Sequence, residues 1–175
     1  MEEGSSYETG QILKVHVENF MNHRKFTQSL GRHLNFITGR NGSGKSAIAA
    51  AIQLCLGMTA TKTGRGKDVA GYIREGSPGP AICEVTLLNE GPDAHEPEAY
   101  GPRIIVRRMI FKNASSTYQL LSAEGKVITP LRYALTRILM NFNVHVDTPC
   151  CILTQEESKR LIHGSPKEKY DFFIR

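Results

Sequence analysis

Alternating apolar and polar side chains mark the first predicted element, at residues 12–20. Ile12, Val15 and Val17 alternate with polar positions, a period of two that is typical of a half-buried β-strand. A polar turn is predicted at residues 21–25, and a second strand at residues 26–30. The chain therefore begins its ordered part with a predicted pair of strands.

The next pattern predicts a strand, a glycine-containing loop and a helix between residues 34 and 57. Leu34, Phe36 and Ile37 form a short apolar run, as expected of a buried parallel strand. Residues 47–56 are apolar almost all round, which predicts a buried helix. Gly57 follows the helix, where glycine commonly ends one.

Four further strands and a helix are predicted downstream. Residues 81–89, 103–111, 116–122 and 126–129 give an antiparallel meander. A helix beginning at Pro130 places its apolar residues at helical spacing, so they are assigned to the core: Leu131, Leu135, Ile138, Leu139 and Phe142. Together these elements predict an α/β fold with a mixed sheet and an antiparallel β meander.

The last part of the chain contains two helix-start signals. A short strand is predicted at residues 150–153, and Thr154 with Glu157 fits a capping box. That arrangement places Gln155 at a strand-to-helix junction. Ser165 and Glu168 form a second capping box, which opens a helix that runs to Arg175 and has no ending signal. The helix is expected either to be severed there or to continue.

Composition narrows the class of protein only slightly. The 175 residues carry a formal net charge of +5, which is compatible with nucleic acid, although a solvated basic surface is the default. The four cysteines form no C-x-x-C pair, so they are expected to be reduced, structural residues of an intracellular protein. No apolar run is long enough for a membrane span. The acidic, polar residues 1–10 are predicted to be a disordered lead-in rather than a targeting peptide.

The glycine-containing loop carries the most specific chemical signal. It matches the phosphate-binding pattern G-x-x-x-x-G-K-[ST] at every position: Gly39, Arg40, Asn41, Gly42, Ser43, Gly44, Lys45 and Ser46. Successive backbone N–H groups in such a loop form a concavity that suits an anion. Lys45 is expected to reach the β- and γ-phosphates, and Ser46 to offer its hydroxyl to Mg²⁺. The alternative is a glycine-rich surface turn with a solvated lysine.

Other parts of a nucleotide hydrolase are not found in the sequence. The nearest candidate for the acid that follows an apolar strand is Asp147, but its strand is too short and runs into proline. No Ser-Gly-Gly signature is present. The polar turn offers His23, Arg24 and Lys25 to a base, ribose or phosphate, with a solvated turn as the alternative. The chain alone is therefore expected to bind nucleotide weakly and to hydrolyse little or none.

Several motifs carry a resemblance to a known family. The loop GRNGSGKS, the early VENFMNH, TGRG at residues 63–66, the run FNVHVDTPCCILTQEESKRLI and the ending KYDFF resemble the N-terminal head segment of the structural maintenance of chromosomes (SMC) family. The likeness covers residues 11–175 and is nearest to the sixth-subunit branch of the five/six repair complex. Thr148 and the pair Cys150 and Cys151 depart from the family pattern.

The resemblance implies a P-loop NTPase of the ABC-type ATPase head class, with residues 11–164 as the N-terminal lobe and 165–175 as the start of a coiled coil. It implies that ATP and Mg²⁺ are cofactors, and that Lys45 and Gln155 act in catalysis. Gln155 corresponds to the Q-loop glutamine, which contacts both Mg²⁺ and the attacking water. Ser46 is the other residue expected to bind Mg²⁺. Arg65 corresponds to an arginine near the phosphates.

The resemblance also implies partners and a location. These are a second SMC head (the fifth SMC subunit), a kleisin with accessory non-SMC subunits, and DNA, with no membrane, in the nucleus on the chromosome. The proposed DNA contacts are the basic loop at residues 62–67 and the exposed side of the meander. Four cationic side chains are predicted on that side: Arg103, Arg107, Arg108 and Lys112. Alternatives are a related repair ATPase with a zinc-hook coiled coil, and a truncated, non-catalytic fragment.

Overall fold

A computed structural model describes residues 8–59, 68–146, 151, 153 and 155–174. The chain divides into two compact units, residues 1–143 and 144–175. The predicted boundary between a lobe at 11–164 and a coiled-coil start at 165 remains a prediction. In the described residues, no helix combines the length and the apolar character needed to cross a lipid bilayer.

The first unit is built on one six-stranded sheet in the order β2-β1-β3-β4-β5-β6. All five pairings among the described strands are antiparallel. The strands are β1 (Ile12–Phe20), β2 (His23–Ser29), β3 (Ala81–Leu88), β4 (Arg103–Ile110), β5 (Ser116–Leu121) and β6 (Val127–Thr129). The predicted meander is confirmed as β3 to β6, since each of these strands pairs with the next one along the chain.

The first hairpin is tighter than the sequence predicts. The strand at residues 12–20 is confirmed, but β2 already begins at His23, so the turn contains only Met21 and Asn22. Met21 adopts a φ of 49°, which a short turn between twisted strands requires. His23 therefore belongs to a strand, paired with Phe20. This pairing fixes the direction of its side chain.

Helix α1 (Lys45–Cys55) packs on the face of the sheet formed by β1, β3 and β4. Alternation along the strands points Val15, Val17, Val85 and Val106 into this interface, and each is fully buried. The prediction of a buried helix is confirmed, since most of its apolar side chains, Leu54 among them, are buried and only Ala49 is exposed. Full burial of such side chains is the main stabilising term of the unit.

The apolar run before the loop does not form the predicted strand. Residues 33–39 have no regular secondary structure, and Leu34 is 74%, Phe36 81% and Ile37 42% exposed. A parallel strand needs hydrogen-bonded neighbours on at least one side. No strand of the described chain pairs with this run. The prediction of a buried parallel strand, and with it of a mixed sheet, is therefore wrong for this chain by itself.

The helix after the meander, α3 (Arg132–Asn141), begins two residues later than predicted. Leu135, Ile138 and Leu139 are buried as predicted, but Leu131 is 47% exposed because it lies at the N-cap position, outside the first turn. Two further short elements are present: a 3₁₀ turn at Val69–Tyr72, where the sequence predicts a short helical or irregular piece, and helix α2 (Pro97–Tyr100), where it predicts a loop.

The second unit contains helices α4 (Gln155–His163) and α5 (Pro166–Ile174). The predicted capping box of α5 is confirmed. The Ser165 N–H donates to Glu168 Oε2 at 2.7 Å, and the Glu168 N–H donates to Ser165 Oγ at 3.3 Å. The strand predicted at residues 150–153 and the N-cap at Thr154 fall largely outside the described residues. Residues 1–7 of the predicted lead-in also lie outside them.

Helix α1 ends in a Schellman motif, in which N–H groups beyond the helix return to its last carbonyls. The Gly57 N–H donates to Leu54 O at 3.3 Å and the Met58 N–H to Gln53 O at 3.0 Å. Gly57 has a φ of +103°, a conformation that glycine adopts without a Cβ clash. The predicted role of Gly57 as the terminating residue is therefore confirmed.

We predict that Gly57→Ala lowers the free energy of unfolding by about 1–2 kcal/mol, since an L-residue is strained at positive φ. No side chain lies within 4 Å of the added Cβ, so the cost is one of backbone conformation. Gly71→Ala is the matched control, because its added Cβ also meets nothing and its φ lies outside the strained range. Urea unfolding of both variants measures the difference, and equal stabilities would contradict the prediction.

Candidate functional site

The loop at residues 39–46 leads directly into the N-terminus of α1 and has the backbone conformation of an anion cradle. Gly42 and Gly44 have φ values of +81° and +91°, and Gly44 is the N-cap residue of α1. A Cβ at Gly44 would also lie 2.2 Å from Nε2 of His23. Glycine at this position therefore satisfies both a conformational and a steric requirement.

The Lys45 ammonium lies over the loop. Nζ donates to Gly39 O at 2.7 Å and to Arg40 O at 2.8 Å. Both acceptors are neutral carbonyls, and an anionic oxygen is a stronger acceptor than a carbonyl. The ammonium group is thus held at the mouth of the cradle, and an anionic oxygen could replace these two carbonyls as its acceptor.

The β1–β2 hairpin holds the loop from its other side. Asn22 Nδ2 donates to Gly42 O at 3.0 Å, and His23 Nε2 lies 3.3 Å from Gly44 O. Because a carbonyl can only accept, the His23 contact requires the tautomer with a proton on Nε2. Loop carbonyls are thereby turned toward the hairpin, which leaves loop N–H groups for a ligand.

The hairpin turn is itself anchored by the segment around the 3₁₀ turn. The Met21 N–H donates to Tyr72 O at 2.7 Å, and the rings of Phe20 and Tyr72 stack with centroids 5.5 Å apart. Asp68 caps the 3₁₀ turn by accepting from the Ala70 N–H at 2.8 Å. The hairpin that contacts the loop is therefore a fixed support rather than a free flap.

A cleft of about 420 Å³ opens beside the loop. Its lining combines loop residues, the outer part of β2 and the exposed apolar run: His23, Phe26, Gln28, Leu30, Asn35, Phe36, Ile37, Thr38, Gly39, Ser43, Gly44, Lys45 and Ile48. The cleft is open to solvent where the side chains of Phe36 and Ile37 are exposed. It has the mixed apolar and polar lining that ligand clefts usually show.

The first turn of α1 adds the electrostatics of a helix N-terminus. Lys45 and Ser46 are its first two residues, and Ser46 is exposed. Unpaired N–H groups and the positive end of the helix dipole favour an anion at this point. Within the described ranges, no group of three or more His, Cys, Asp or Glu side chains converges to hold a metal ion.

The structure brings together all eight predicted loop residues, Gly39 to Ser46. Arg65 lies outside the described residues. Gln155 is the first residue of α4, in the second unit, and its side chain is also outside the description. The predicted roles of Arg65 and Gln155 stay predictions.

The hairpin contacts were foreseen only in part. His23 was a candidate for nucleotide contact, whereas it actually touches the loop, and Asn22 was not singled out at all. Arg24 and Lys25, predicted in the same turn, lie in β2 and are exposed, and Lys25 Nζ lies 2.9 Å from Glu18 Oε1. The only available sequence signal for Asn22 was its place next to a residue already considered.

The predicted basic face of the meander needs correction. Arg108 is only 7% exposed, because its β4 position lies on the same face as the core residues Val106 and Ile110. Arg107 lies on the opposite face of the sheet, but it is paired with Glu84 of the neighbouring strand. Arg103 and Lys112 are exposed. The face therefore offers fewer free cations to DNA than the sequence suggests.

One carboxylate of the hairpin has a shifted pKa. Lys25 donates to Glu18, and His16 Nε2 lies 3.2 Å from the same oxygen, so the pKa of Glu18 is lowered despite partial desolvation. The carboxylate is 32% exposed, so solvent and salt screen these contacts. A lowered pKa means that folding favours the ionised form of Glu18.

We predict that this contribution to hairpin stability is present above the ordinary carboxyl pKa of 4.5 and is lost as the pH falls through the lower folded value. Glu18→Gln removes the charge and should therefore be less stable than the parent near neutral pH. The difference should vanish once the pH lies well below the lowered pKa of Glu18, and it should shrink in high salt. Urea unfolding of both proteins across this range measures it, and a gap that does not change with pH would contradict the assignment.

Comparisons with known proteins show the family of this chain. The family described as RecF/RecN/SMC N terminal domain matches residues 11–144. Structural maintenance of chromosomes protein 6B of Arabidopsis thaliana is 38% identical over 168 residues, which cover 95% of this chain. The chain spans only 16% of the length of that relative.

Solved structures give the same fold. A chain from work on ATP-driven dimerization and DNA-stimulated activation of SMC ATPases superposes with a TM-score of 0.77 at 24% identity, covering 93% of this chain and 97% of that one. An Smc head from Pyrococcus furiosus, with a coiled coil and bound to the C-terminal domain of ScpA, gives 0.69 at 24% identity, covering 92% and 40%. The resemblance to the SMC family and the α/β ABC-type head fold are thereby confirmed. This chain belongs to the RecF/RecN/SMC N-terminal domain family and forms the N-terminal part of an SMC ATPase head.

Proposed function

We propose that this chain is the nucleotide-binding half of an SMC head that binds ATP with Mg²⁺. The observation that carries the proposal is the cradle at residues 39–46, with the Lys45 ammonium resting on two neutral carbonyls at its mouth. An ammonium in that place lacks a counter-ion of its own among its recorded contacts in the described chain. A triphosphate supplies one, together with acceptors for the loop N–H groups.

Each loop residue has a role in this proposal. Backbone N–H groups of the loop bind phosphate oxygens, although that of Ser43 donates to Arg40 O at 3.1 Å in this structure and has to be released first. The Lys45 ammonium moves from the loop carbonyls to the β- and γ-phosphates. The Ser46 hydroxyl coordinates Mg²⁺. Because Mg²⁺ usually keeps few protein ligands beside phosphates and water, the lack of an acidic cluster in the described residues fits this ion.

Hydrolysis requires parts that lie outside the described site. We assign Gln155 to Mg²⁺ and to the attacking water, and Arg65 to the phosphates, on the family resemblance. An acid that activates the water and a signature that contacts the γ-phosphate from a second head come from the C-terminal lobe and the partner. The chain alone is therefore expected to hydrolyse little or no ATP.

The exposed apolar run supports completion by a C-terminal lobe. Leu34, Phe36 and Ile37 expose apolar area just before the cradle, which is unfavourable in water. Pairing of this run with strands of a second lobe would bury these side chains and satisfy the backbone. The run would then become the parallel strand that its sequence predicts.

The wider role follows from the relatives. We propose that the completed head pairs with a second SMC head, that of the fifth subunit, and binds a kleisin and accessory subunits, as the Pyrococcus furiosus head binds ScpA. The proposed activity is ATP-dependent DNA binding in repair, recombination and chromosome maintenance. The proposed location is the nucleus, on the chromosome.

We predict that Lys45→Ala, in a head completed by its C-terminal lobe, weakens ATP binding by about 100-fold or more, since one charge-assisted contact to two phosphates is lost. Lys126→Ala is the control, because Lys126 is an exposed lysine in the turn before β6. Titration with a fluorescent ATP analogue in Mg²⁺ measures both. Unchanged binding by Lys45→Ala would remove the basis of the proposal.

We also predict that addition of the C-terminal lobe protects the backbone amides of residues 34–38 from hydrogen exchange. These amides have no strand partner in the described chain, so they should exchange quickly in its absence. Strand pairing should slow their exchange by about 100-fold or more. The amides of β3 serve as the internal reference, since β3 is paired on both sides already. Fast exchange of residues 34–38 in the completed head would contradict the strand assignment.

A further inference from the structure

The C-terminal end of α1 is held by a buried arginine from the sheet. Arg108 Nη1 donates to Leu54 O at 2.9 Å and to Met58 O at 3.0 Å. Its Nε and Nη2 donate to Ser116 Oγ at 3.3 and 3.1 Å, so β5 orients the guanidinium. One side chain thus joins β4 and β5 to the end of the helix that begins at the phosphate cradle.

Two more donors converge on the same helix end. The Tyr118 hydroxyl donates to Leu54 O at 3.0 Å, and Arg132 Nη2 donates to Gly57 O at 3.0 Å. Burial raises the pKa of Tyr118, which keeps its hydroxyl protonated and able to donate. The Arg108 guanidinium also lies 4.9 Å from the centre of the Tyr118 ring, a cation–π distance.

This arrangement uses a buried charge without a carboxylate. Within the described part of the chain, no Asp or Glu is recorded in an ion pair with Arg108, although Arg108 is only 7% exposed. The compensation comes instead from carbonyls at the negative end of the α1 dipole and from the Tyr118 ring. An apolar residue would fill this β4 position at lower desolvation cost. The charge at this position is therefore better explained by the hydrogen bonds that Arg108 donates to Leu54 O and Met58 O than by packing alone.

The helix connects this anchor to the cradle. Eleven residues of α-helix span about 16 Å, and such a short helix moves as a rigid rod. At the opposite end, Gly44, Lys45 and Ser46 provide the N–H groups and side chains for phosphate. A shift of the C-terminal end along the axis or across the sheet would displace these groups by a similar amount.

We propose that Arg108 is a positioning residue for nucleotide binding: by fixing the C-terminal carbonyls of α1, it holds the cradle at the N-terminal end in register with its hairpin support. The inference rests on the proposed binding of ATP at the cradle. It assigns to Arg108 a role in affinity, instead of the DNA contact that its sequence position suggested.

The test compares Arg108→Met, which keeps the length of the side chain without its charge and donors, with Arg108→Lys, which keeps the charge. Ile138→Ala is a destabilising control, because Ile138 is fully buried in α3, which packs on β5. The intact natural polypeptide is used, with Lys45→Ala as the reference for loss of binding. Dissociation constants for ATPγS in Mg²⁺ and thermal unfolding midpoints are measured for each protein.

Arg108→Met is expected to raise the dissociation constant by about tenfold, and Arg108→Lys by less. Ile138→Ala is expected to lower the midpoint of unfolding while changing the dissociation constant by less than about twofold. A dissociation constant for Arg108→Met that equals the parent value overturns the inference, even when its midpoint has fallen.

Two further results separate the possible failures. A parent protein that does not bind ATPγS, or binds it equally with Lys45→Ala, defeats the proposed function itself. If Arg108→Met does not fold, Arg108→Lys and Tyr118→Phe decide the question, since Tyr118→Phe removes one donor to Leu54 O. An increase of about threefold in the dissociation constant for both supports the inference. Parent affinity in both overturns it.

Discussion

The structure of this site depends on how the unpaired backbone groups at the two ends of α1 are satisfied. Any helix leaves carbonyls free at its C-terminus and N–H groups free at its N-terminus. Here backbone N–H groups beyond the helix bind Ile52 O and Gln53 O, and the Arg108 and Tyr118 side chains bind Leu54 O. Arg132 binds the carbonyl of Gly57, just past the helix. The N–H groups begin at Gly44, beside a cleft. The fold therefore satisfies one end of the helix internally and leaves the other for an anion.

The hairpin support follows the same rule. Asn22 and His23 contact carbonyls of the loop, at Gly42 and Gly44, and leave its N–H groups unused by these two side chains. Donors from the protein are thus directed at loop oxygens, and a ligand rich in oxygens is complementary to the remaining donors. Lys45 is the exchangeable member of the set, because its contacts are with carbonyls of its own loop.

Sequence reasoning succeeded where the governing physics is local. The loop motif, the alternation in β1 and β3, the glycine that ends α1 and the capping box at Ser165 each depend on residues close in sequence. It failed at Arg108, which was placed with Arg107 on an exposed face. Alternation along β4 does place Arg108 on the core face. Nothing in the sequence indicates that the carbonyls of Leu54 and Met58, 54 and 50 positions away at the end of α1, compensate its charge. The proposed roles of Gln155 and Arg65 come from the family resemblance, since no local sequence pattern predicts them.

The unpaired apolar run shows why a strand cannot be read from its own residues alone. Leu34, Phe36 and Ile37 have strand composition, yet they remain exposed because strand formation requires a neighbour. The same run leads into Gly39, and Phe36 and Ile37 line the cleft with Lys45. If a second lobe orders this run, it also restricts the entrance to the phosphate cradle. Lobe association and nucleotide binding would then act on shared residues, and by linkage the effect of each on the equilibrium of the other must be equal. A head divided in this way can couple its assembly to its ligand without any additional regulatory element.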